Sequence, residues 1–522
     1  MECIETDVLV LGNGIAGGIA AILLAEQGVN VTLVTKNSNA HESNTYYAQG
    51  GIIYKGQDDS PHLLAEDIKR AGDGLCNPRA VEILSREGAD LVKNILIEKL
   101  NIRFDENSKG QLSLVAEGGH SVPRIIHSAD ATGRSIQTAI NDYISKLANI
   151  RLLKGYTAVD LLAPHHHSID RLQVYEPRSC IGAYLLDQKK RMIIRCIAKK
   201  TILATGGLGQ IYLRTTNPEG ARGDGVAMAY RMGARVLNSQ FIQFHPTTFF
   251  HPQAHRFLIS EAVRGAGARL VNANGEPFMQ HYAPEWKDLA PRDIVSRSIH
   301  EEILKRGTTH VYLDLASYLP ASQIKTEFPN IYKKCMEYGV DISNELIPVV
   351  PAAHYACGGV WVDEQGLTTI NSLYAVGEVA CTGLHGANRL ASTSLLEGLV
   401  WAKHAADDIV VNLKDTARPK KENIPPWQDE GIDDPDPALI SQDMSSIKNI
   451  MWNYVGLVRN HRRLQRAIRE LRNLENEVEK FYRKAKVTDE LIGLRNAVRT
   501  SIIIANSAWE DRQSRGCHYR ES

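Results

Sequence analysis

Three glycines that follow an apolar run place the strongest constraint on how this chain folds. Residues 6–12 contain the unbroken apolar run Val8-Leu-Val-Leu11, as expected for a parallel strand buried on both faces. Gly12, Gly14 and Gly17 come next, ahead of helix-forming residues and a second apolar strand. This order predicts a βαβ unit whose turn holds a dinucleotide pyrophosphate against the N-terminus of the helix.

Later segments predict further strands of the same sheet. The first helix is expected over residues 17–27 and the second strand over residues 29–35. Residues 200–207 and 373–379 are apolar runs that end in glycine-containing turns, as strands of such a sheet do. The stretch 238–349 between them is richer in polar residues, proline and aromatics, so we interpret it as an inserted domain.

Composition excludes several classes of protein. Lys+Arg and Asp+Glu both number 60, so no overall field attracts nucleic acid or an anionic membrane. No apolar run approaches the roughly 18–20 residues that a membrane span requires. The 8 cysteines form no Cys-x-x-Cys pair, so we expect no metal or iron–sulfur site. With no signal peptide at the N-terminus, the sequence predicts a cytoplasmic protein.

The second strand ends in Thr35-Lys36, where a dinucleotide fold often has an acid that binds the ribose. Lys36 would suit a ribose 2′-phosphate, which keeps NADP as an alternative. The polar loop 43–51 and further glycine and acid positions far along the chain favour FAD, because an extended flavin dinucleotide needs dispersed contacts. The residues predicted to contact the cofactor are Gly12, Gly14, Ile15, Ala16, Gly17, Lys36, Ser43, Asn44, Thr45, Ala48, Gln49, Gly50, Gly51, Asp224, Glu378, Ser394 and Leu395.

A set of short motifs, taken together with the glycine turn, resembles the flavoprotein family of succinate dehydrogenase and fumarate reductase. The resemblance covers almost the whole chain, including its C-terminal region. The motifs are Gln243-Phe-His-Pro-Thr247, Pro291-Arg-Asp-Ile-Val295, Ala353-His-Tyr355, Gly358-Gly359 and Gly386-Ala-Asn-Arg389.

The resemblance implies a site that binds a C4 dicarboxylate beside the flavin, since two negative ends need charge-assisted donors. Position 260 carries serine where the family is expected to have threonine, which preserves the hydroxyl. The implied catalytic residues are Arg292, His245 and His354, and the implied substrate-binding residues are Glu117, Ser260, Glu261, Arg264 and Arg389. The family assigns Arg292 a proton-transfer role, but a guanidinium is a poor base, so positioning of the substrate is the alternative.

Two positions separate the branches of this family. Asn44 stands where the membrane-bound members attach flavin to a histidine, so we expect non-covalent FAD. Glu117 lies in a Glu-Gly-Gly-His loop, and a carboxylate there suits the ammonium group of L-aspartate. The implied reaction is hydride transfer from L-aspartate to flavin N5, giving iminoaspartate, with O2 or fumarate as acceptor.

That reaction would be the first step of de novo NAD biosynthesis, and quinolinate synthase is then a possible partner. A soluble fumarate reductase or a succinate dehydrogenase flavoprotein is the alternative enzyme. A non-catalytic binding protein is a further alternative, for which the arginine-rich stretch 456–473 offers partial support.

The expected fold is therefore α/β and α+β multidomain, a Rossmann-like FAD-binding domain interrupted by a capping domain and followed by a C-terminal helical bundle. The predicted bounds are 1–237 and 350–412 for the FAD-binding domain, 238–349 for the capping domain, 413–442 for a linker and 443–522 for the helical domain.

Overall fold

The computed structural model describes residues 3–129, 131–254 and 257–521. The strands are β1 Cys3–Leu11, β2 Val31–Thr35, β3 Ile52–Ile53, β4 Ile125–Ile126, β5 Ile150–Lys154, β6 Tyr156–Leu161, β7 Gly182–Asp187, β8 Met192–Leu203, β9 Val236–Leu237, β10 Ile242–Phe249, β11 Arg269–Val271, β12 Val311–Asp314, β13 Ile347–Ala356, β14 Gly359–Trp361, β15 Leu373–Ala375 and β16 Ala380–Cys381. The helices are α1 Ile15–Glu26, α2 Pro61–Ala71, α3 Pro78–Leu91, α4 Thr132–Ile144, α5 Pro164–His167, α6 Asp224–Met232, α7 Glu261–Gly265, α8 Met279–Tyr282, α9 Arg292–Arg306, α10 Ala321–Glu327, α11 Pro329–Glu337, α12 Thr393–Asn412, α13 Pro437–Tyr454, α14 His461–Lys484 and α15 Asp489–Glu510.

The main sheet is built around β1, as its apolar sequence predicts. Its strand order is β5-β2-β1-β8-β7-β6, and β15 also pairs with β8. Strand β1 runs parallel to both β2 and β8, with Val8 opposite Val31 on one side and Lys200 on the other. The strands expected near residues 6, 29, 200 and 373 therefore belong to one sheet, which confirms the Rossmann-like arrangement.

Helices α1 and α12 pack together over this sheet. Helix α1 is buried along most of its length because its residues are Ala, Gly, Ile and Leu, with little polar surface to expose. Helix α12 buries Leu396, Leu399 and Trp401 in the same core. This packing brings the start of α12 next to the glycine turn, nearly 380 residues away in sequence.

A second sheet, which we call the cap sheet, has the order β10-β13-β12-β11. Its strands are antiparallel, and His245 on β10 lies opposite Ala352 on β13. Helices α7 to α11 surround it around a core that includes Val263, Val295 and Leu313. The end of β13 reaches the main sheet, where the Ala356 amide donates to Glu378, three residues after β15.

Helices α13, α14 and α15 pack against one another at the C-terminal end of the described chain. Leu464, Leu471 and Val478 recur every seven residues on α14 and are fully buried, which forms the seam of this bundle. The predicted helical region is confirmed. Among the described residues, the helices are all too short or too polar to cross a membrane.

Candidate active site

A cavity of about 630 Å³ lies where the glycine turn, the loop 43–51, the start of α12 and the cap sheet meet. All the residues predicted for the cofactor and substrate line it except Gly17 and Arg264. Sequence positions from 11 to 398 therefore contribute to one continuous space. Its size and its extended set of lining residues suit a dinucleotide together with a small substrate.

The glycine turn is shaped to admit a pyrophosphate. Gly12 has a φ of +116°, and a Cβ there would overlap the carbonyl oxygen of Ala204 on the neighbouring strand end. A Cβ at Gly17 would overlap the Gly12 carbonyl, so Gly17 permits close packing of α1 rather than contact with the cofactor. Gly14 caps α1 without a side chain, while Thr45 Oγ1 accepts the Ile15 amide at 2.9 Å. The remaining amides at the start of α1 suit a diphosphate.

At the end of β2, Lys36 is already bound to an acid. Its Nζ lies 2.5 Å from Asp224 Oδ2, and it also donates to the Gly220 carbonyl. Burial, and then the nearby charge of Arg222, lower the pKa of Lys36. Burial alone would raise the pKa of Asp224, but Lys36 and Arg222 together hold it below its ordinary value. A lysine paired in this way is poorly placed for a ribose 2′-phosphate, which argues against NADP.

Helix α15 extends this charged group. Arg222 donates through both η nitrogens to Asp489, at 2.8 and 2.9 Å, and Asn496 donates to Asp224 at 2.9 Å. The C-terminal bundle thus supports the same acid that lines the cofactor cavity. Sequence reasoning missed Arg222, Asp489 and Asn496, because nothing in their local pattern links α15 to a turn more than 260 residues away.

Asn44 and Glu378 bond to each other inside the cavity. Asn44 Nδ2 donates to Glu378 Oε2 at 2.7 Å, and the Ala356 amide donates to Glu378 Oε1 at 3.1 Å. Burial raises the pKa of Glu378 to about 7. The residue that would carry a flavin in the covalent branch of the resembling family is therefore an amide held by an acid.

Two guanidinium groups converge on one amide oxygen on the substrate side of the cavity. Arg292 Nη1 and Arg389 Nη2 donate to Gln243 Oε1, at 3.1 and 3.0 Å. Gln243 is fully buried on β10 and donates in turn to Asn388 Oδ1 at 2.7 Å. Gln243 belongs to one of the motifs on which the resemblance rests, but the sequence alone gives it no role. Its place two residues before His245 on the same strand was the available signal.

Glu261 joins Arg292 to Arg264. Arg292 Nε donates to Glu261 Oε2 at 2.7 Å, and Arg264 Nη2 lies 3.6 Å from Glu261 Oε1. Arg264 is fully buried behind the cavity wall, where it donates to the Asp288 carbonyl. Burial would raise the pKa of Glu261, but Arg292 and Arg264 hold it at about 2, so Glu261 is ionised. Arg264 therefore reaches the cavity only through Glu261.

His245 and His354 lie side by side with ring centroids 5.2 Å apart. The Thr247 amide donates to His245 Nδ1 at 3.2 Å, and His245 Nε2 is buried without a hydrogen-bond partner among the described residues. His354 Nδ1 is 2.8 Å from Thr216 Oγ1. Burial first, and then neighbouring arginines, hold the pKa of both rings well below the ordinary value. Neutral His245 thus carries its proton on Nε2 and can donate it to a ligand.

Glu117 and Ser260 complete the wall of the cavity on its substrate side. Ser392 donates to Glu117 Oε2 at 2.7 Å, and burial, reinforced by Glu261, raises the pKa of Glu117. Ser260 caps α7 by accepting the Ala262 amide at 3.3 Å. The site therefore holds two acids (Glu117 and Glu261), two guanidinium groups and two neutral imidazoles around one small space.

The fold and the site together define a flavoprotein that binds a flavin dinucleotide and has an anion-binding substrate pocket. Residues 7–395 match the FAD binding domain family, and residues 444–522 match the family described as fumarate reductase flavoprotein C-term. FAD is accordingly its cofactor. The fold is similar to that of quinol fumarate reductase from E. coli, with a TM-score of 0.88 and 26% identity over 100% of this chain and 92% of that one.

Sequence comparison narrows the class. The chain is 42% identical to L-aspartate oxidase of Pseudomonas aeruginosa over 99% of its own length and 95% of that protein. It is 40% identical to the chloroplastic L-aspartate oxidase of Oryza sativa, over 99% of this chain and 81% of that one. The chain therefore belongs to the L-aspartate oxidase family.

Proposed function

We propose that this protein oxidises L-aspartate to iminoaspartate, as the first step of de novo NAD biosynthesis. The observation that carries the proposal is Glu117, an acid whose hydrogen bond comes from a serine, Ser392, in the same cavity as Arg292 and Arg389. L-Aspartate has two carboxylates and one ammonium group. Its recognition therefore requires hydrogen-bond donors for both carboxylates and an acceptor for the ammonium group. A dicarboxylate without the ammonium group would offer Glu117 no positively charged partner.

Arg389 is suited to bind one substrate carboxylate. Among the described residues its hydrogen bonds go to neutral acceptors, Gln243 Oε1 and Ser394 Oγ, at 3.0 and 3.1 Å. Its positive charge is therefore available to a ligand. The free Nε2–H of His245 offers a second donor, and both groups would anchor the substrate.

Arg292 is held on two sides by Glu261 and Gln243, which fixes its planar group at the cavity wall. Such a fixed guanidinium orients a substrate and stabilises developing negative charge. We assign it this positioning role, with proton transfer as the role implied by the family. FAD, when bound, would supply the two-electron redox chemistry as hydride acceptor.

The cofactor is proposed to be non-covalent, since the amide of Asn44 cannot form the bond that a histidine forms. O2 or fumarate would serve as the electron acceptor. Fumarate is suited to this site because, like aspartate, it presents two carboxylates to Arg292 and Arg389. We further propose that the protein acts in the cytoplasm and that quinolinate synthase consumes its unstable product.

The direct test is anaerobic mixing of the holoprotein with L-aspartate and, separately, with succinate. Flavin absorbance is followed near the usual band at about 450 nm. We expect L-aspartate to bleach the flavin, with oxaloacetate and ammonia appearing after hydrolysis of the product. Bleaching by succinate alone would instead place the protein with the succinate dehydrogenases and would contradict the proposal.

A further inference from the structure

The guanidinium of Arg389 lies over the face of a buried tyrosine. Its Cζ is 4.5 Å from the centroid of the Tyr355 ring, within the range of a cation–π contact. Tyr355 belongs to β13 and follows His354 directly. The ring face attracts the cation without accepting any of its N–H groups. It therefore steadies Arg389 and leaves for a ligand the N–H groups that Gln243 and Ser394 do not use.

The Tyr355 ring is itself held in place through its hydroxyl group. Its hydroxyl donates to Glu397 Oε2 at 2.9 Å, and His385 Nε2 lies 2.9 Å from the same oxygen. Thr382 Oγ1 donates to the other carboxylate oxygen, Glu397 Oε1, at 2.6 Å. Each of these side chains is buried, with Glu397 only 1% exposed. A buried carboxylate with this many partners is costly to form and holds its neighbours in one geometry.

The protonation states agree with this geometry. Burial, followed by the charge of Glu397, raises the pKa of Tyr355 well above its ordinary value, so its hydroxyl remains a donor. Burial would raise the pKa of Glu397, but His385, Thr382 and Tyr355 together lower it. The bond between Tyr355 and Glu397 is therefore a charge-assisted hydrogen bond, which is stronger and more directional than a neutral one.

We propose that Tyr355, Glu397 and His385 are positioning residues that hold Arg389 in place to bind a substrate carboxylate. The inference rests on the proposed function only in giving Arg389 that ligand. None of the three side chains needs to react. Their effect reaches the substrate through the orientation of one guanidinium.

The test compares two conservative changes with a matched control. Tyr355→Phe keeps the ring and removes its bond to the carboxylate, and Glu397→Gln removes the charge. Tyr374→Phe is the control, because Tyr374 is also buried and its hydroxyl donates to Asp408 at 2.6 Å, away from the cavity. Malonate, a dicarboxylate that cannot be oxidised here, is the probe, and its Kd for the holoprotein is measured by calorimetry.

We expect Tyr355→Phe and Glu397→Gln to raise the malonate Kd and the aspartate KM by about three- to tenfold, with kcat within about twofold of the wild type. Tyr374→Phe should lower the melting temperature to a similar extent without changing Kd or KM. If all three variants lose stability alike and Kd and KM stay constant, the three residues are structural only and the proposal fails.

A double-mutant cycle separates this mechanism from a general disturbance of the pocket. In an Arg389→Lys background, Tyr355→Phe should have little further effect on the malonate Kd, since the group that it positions has gone. A full additional loss there would overturn the proposal even if Glu397→Gln proves too unstable to study. Because malonate binding needs no oxidation of aspartate, this result stands apart from failure of the proposed reaction.

Discussion

Glu117 gives the sharpest prediction about substrate choice. Glu117→Gln keeps the size of the side chain and the bond from Ser392 but removes the negative charge. A hydrogen bond to a charged group contributes about 1.5–3 kcal/mol. At about 1.4 kcal/mol per factor of ten, the KM for L-aspartate should rise roughly tenfold to 150-fold, while fumarate, which has no ammonium group, should bind almost as before.

The pH dependence of the same variant checks the cause. Burial raises the pKa of Glu117, so the carboxylate that pairs with the ammonium group is lost as pH falls through that raised value. The wild-type KM for aspartate should therefore increase on the acid side, and Glu117→Gln should remove this acid limb. Steady-state oxidation measured over pH gives KM, and fluorescence titration gives the fumarate Kd.

Glu117→Asp serves as the matched control, since it keeps the charge on a shorter side chain and should retain a preference for aspartate. Equal losses for aspartate and fumarate in Glu117→Gln would refute the reasoning, because they would show that Glu117 shapes the pocket without recognising the amine.

Other predictions concern the chemistry, the cofactor and stability. Arg292→Leu should lower kcat by about a hundredfold or more with FAD still bound, and near-normal turnover would remove Arg292 from the chemistry. Acid precipitation should release all the flavin, because Asn44 cannot bind it covalently; colour that stays with the pellet would contradict this. The pKa of His354 is lowered on folding, so the unfolded chain takes up the proton first. The free energy of unfolding should therefore fall as pH drops below about 6.5. Urea denaturation at two pH values should show a smaller fall in the free energy of unfolding for His354→Gln. Asp489→Asn should raise the FAD Kd about tenfold without changing the KM for aspartate at saturating FAD. An unchanged FAD Kd would show that α15 does not support the cofactor site.

The parts of the fold that the sequence predicted are those with strong local patterns. The apolar run before Gly12, the helix after it and the C-terminal helical region each have one plausible burial pattern. Helix α13 begins at Pro437, inside the stretch that was predicted as linker, because Asp436 caps it by accepting the Ala438 amide. The prolines in this stretch indicated a break between helices, although proline is also favourable in the first turn of a helix.

The site was predictable as a set of residues but not as a geometry. Resemblance supplied Arg292 and Arg389, yet no sequence pattern indicates that both donate to Gln243. Nor does any pattern place Arg264 behind Glu261 rather than in the cavity wall. Such relations depend on how the cap sheet meets the main sheet, and that contact joins segments far apart in the chain.

The position of Asp489 has a consequence for how the protein is made. The glycine turn leaves the ribosome early, but the residue that braces Arg222 and Asp224 at the far end of the cofactor cavity is translated more than 260 residues after them. A nascent chain thus exposes an incomplete flavin cleft for most of its synthesis. Capture of FAD should accordingly be a late, post-translational event, and the release of premature chains that end before α15 should yield colourless protein.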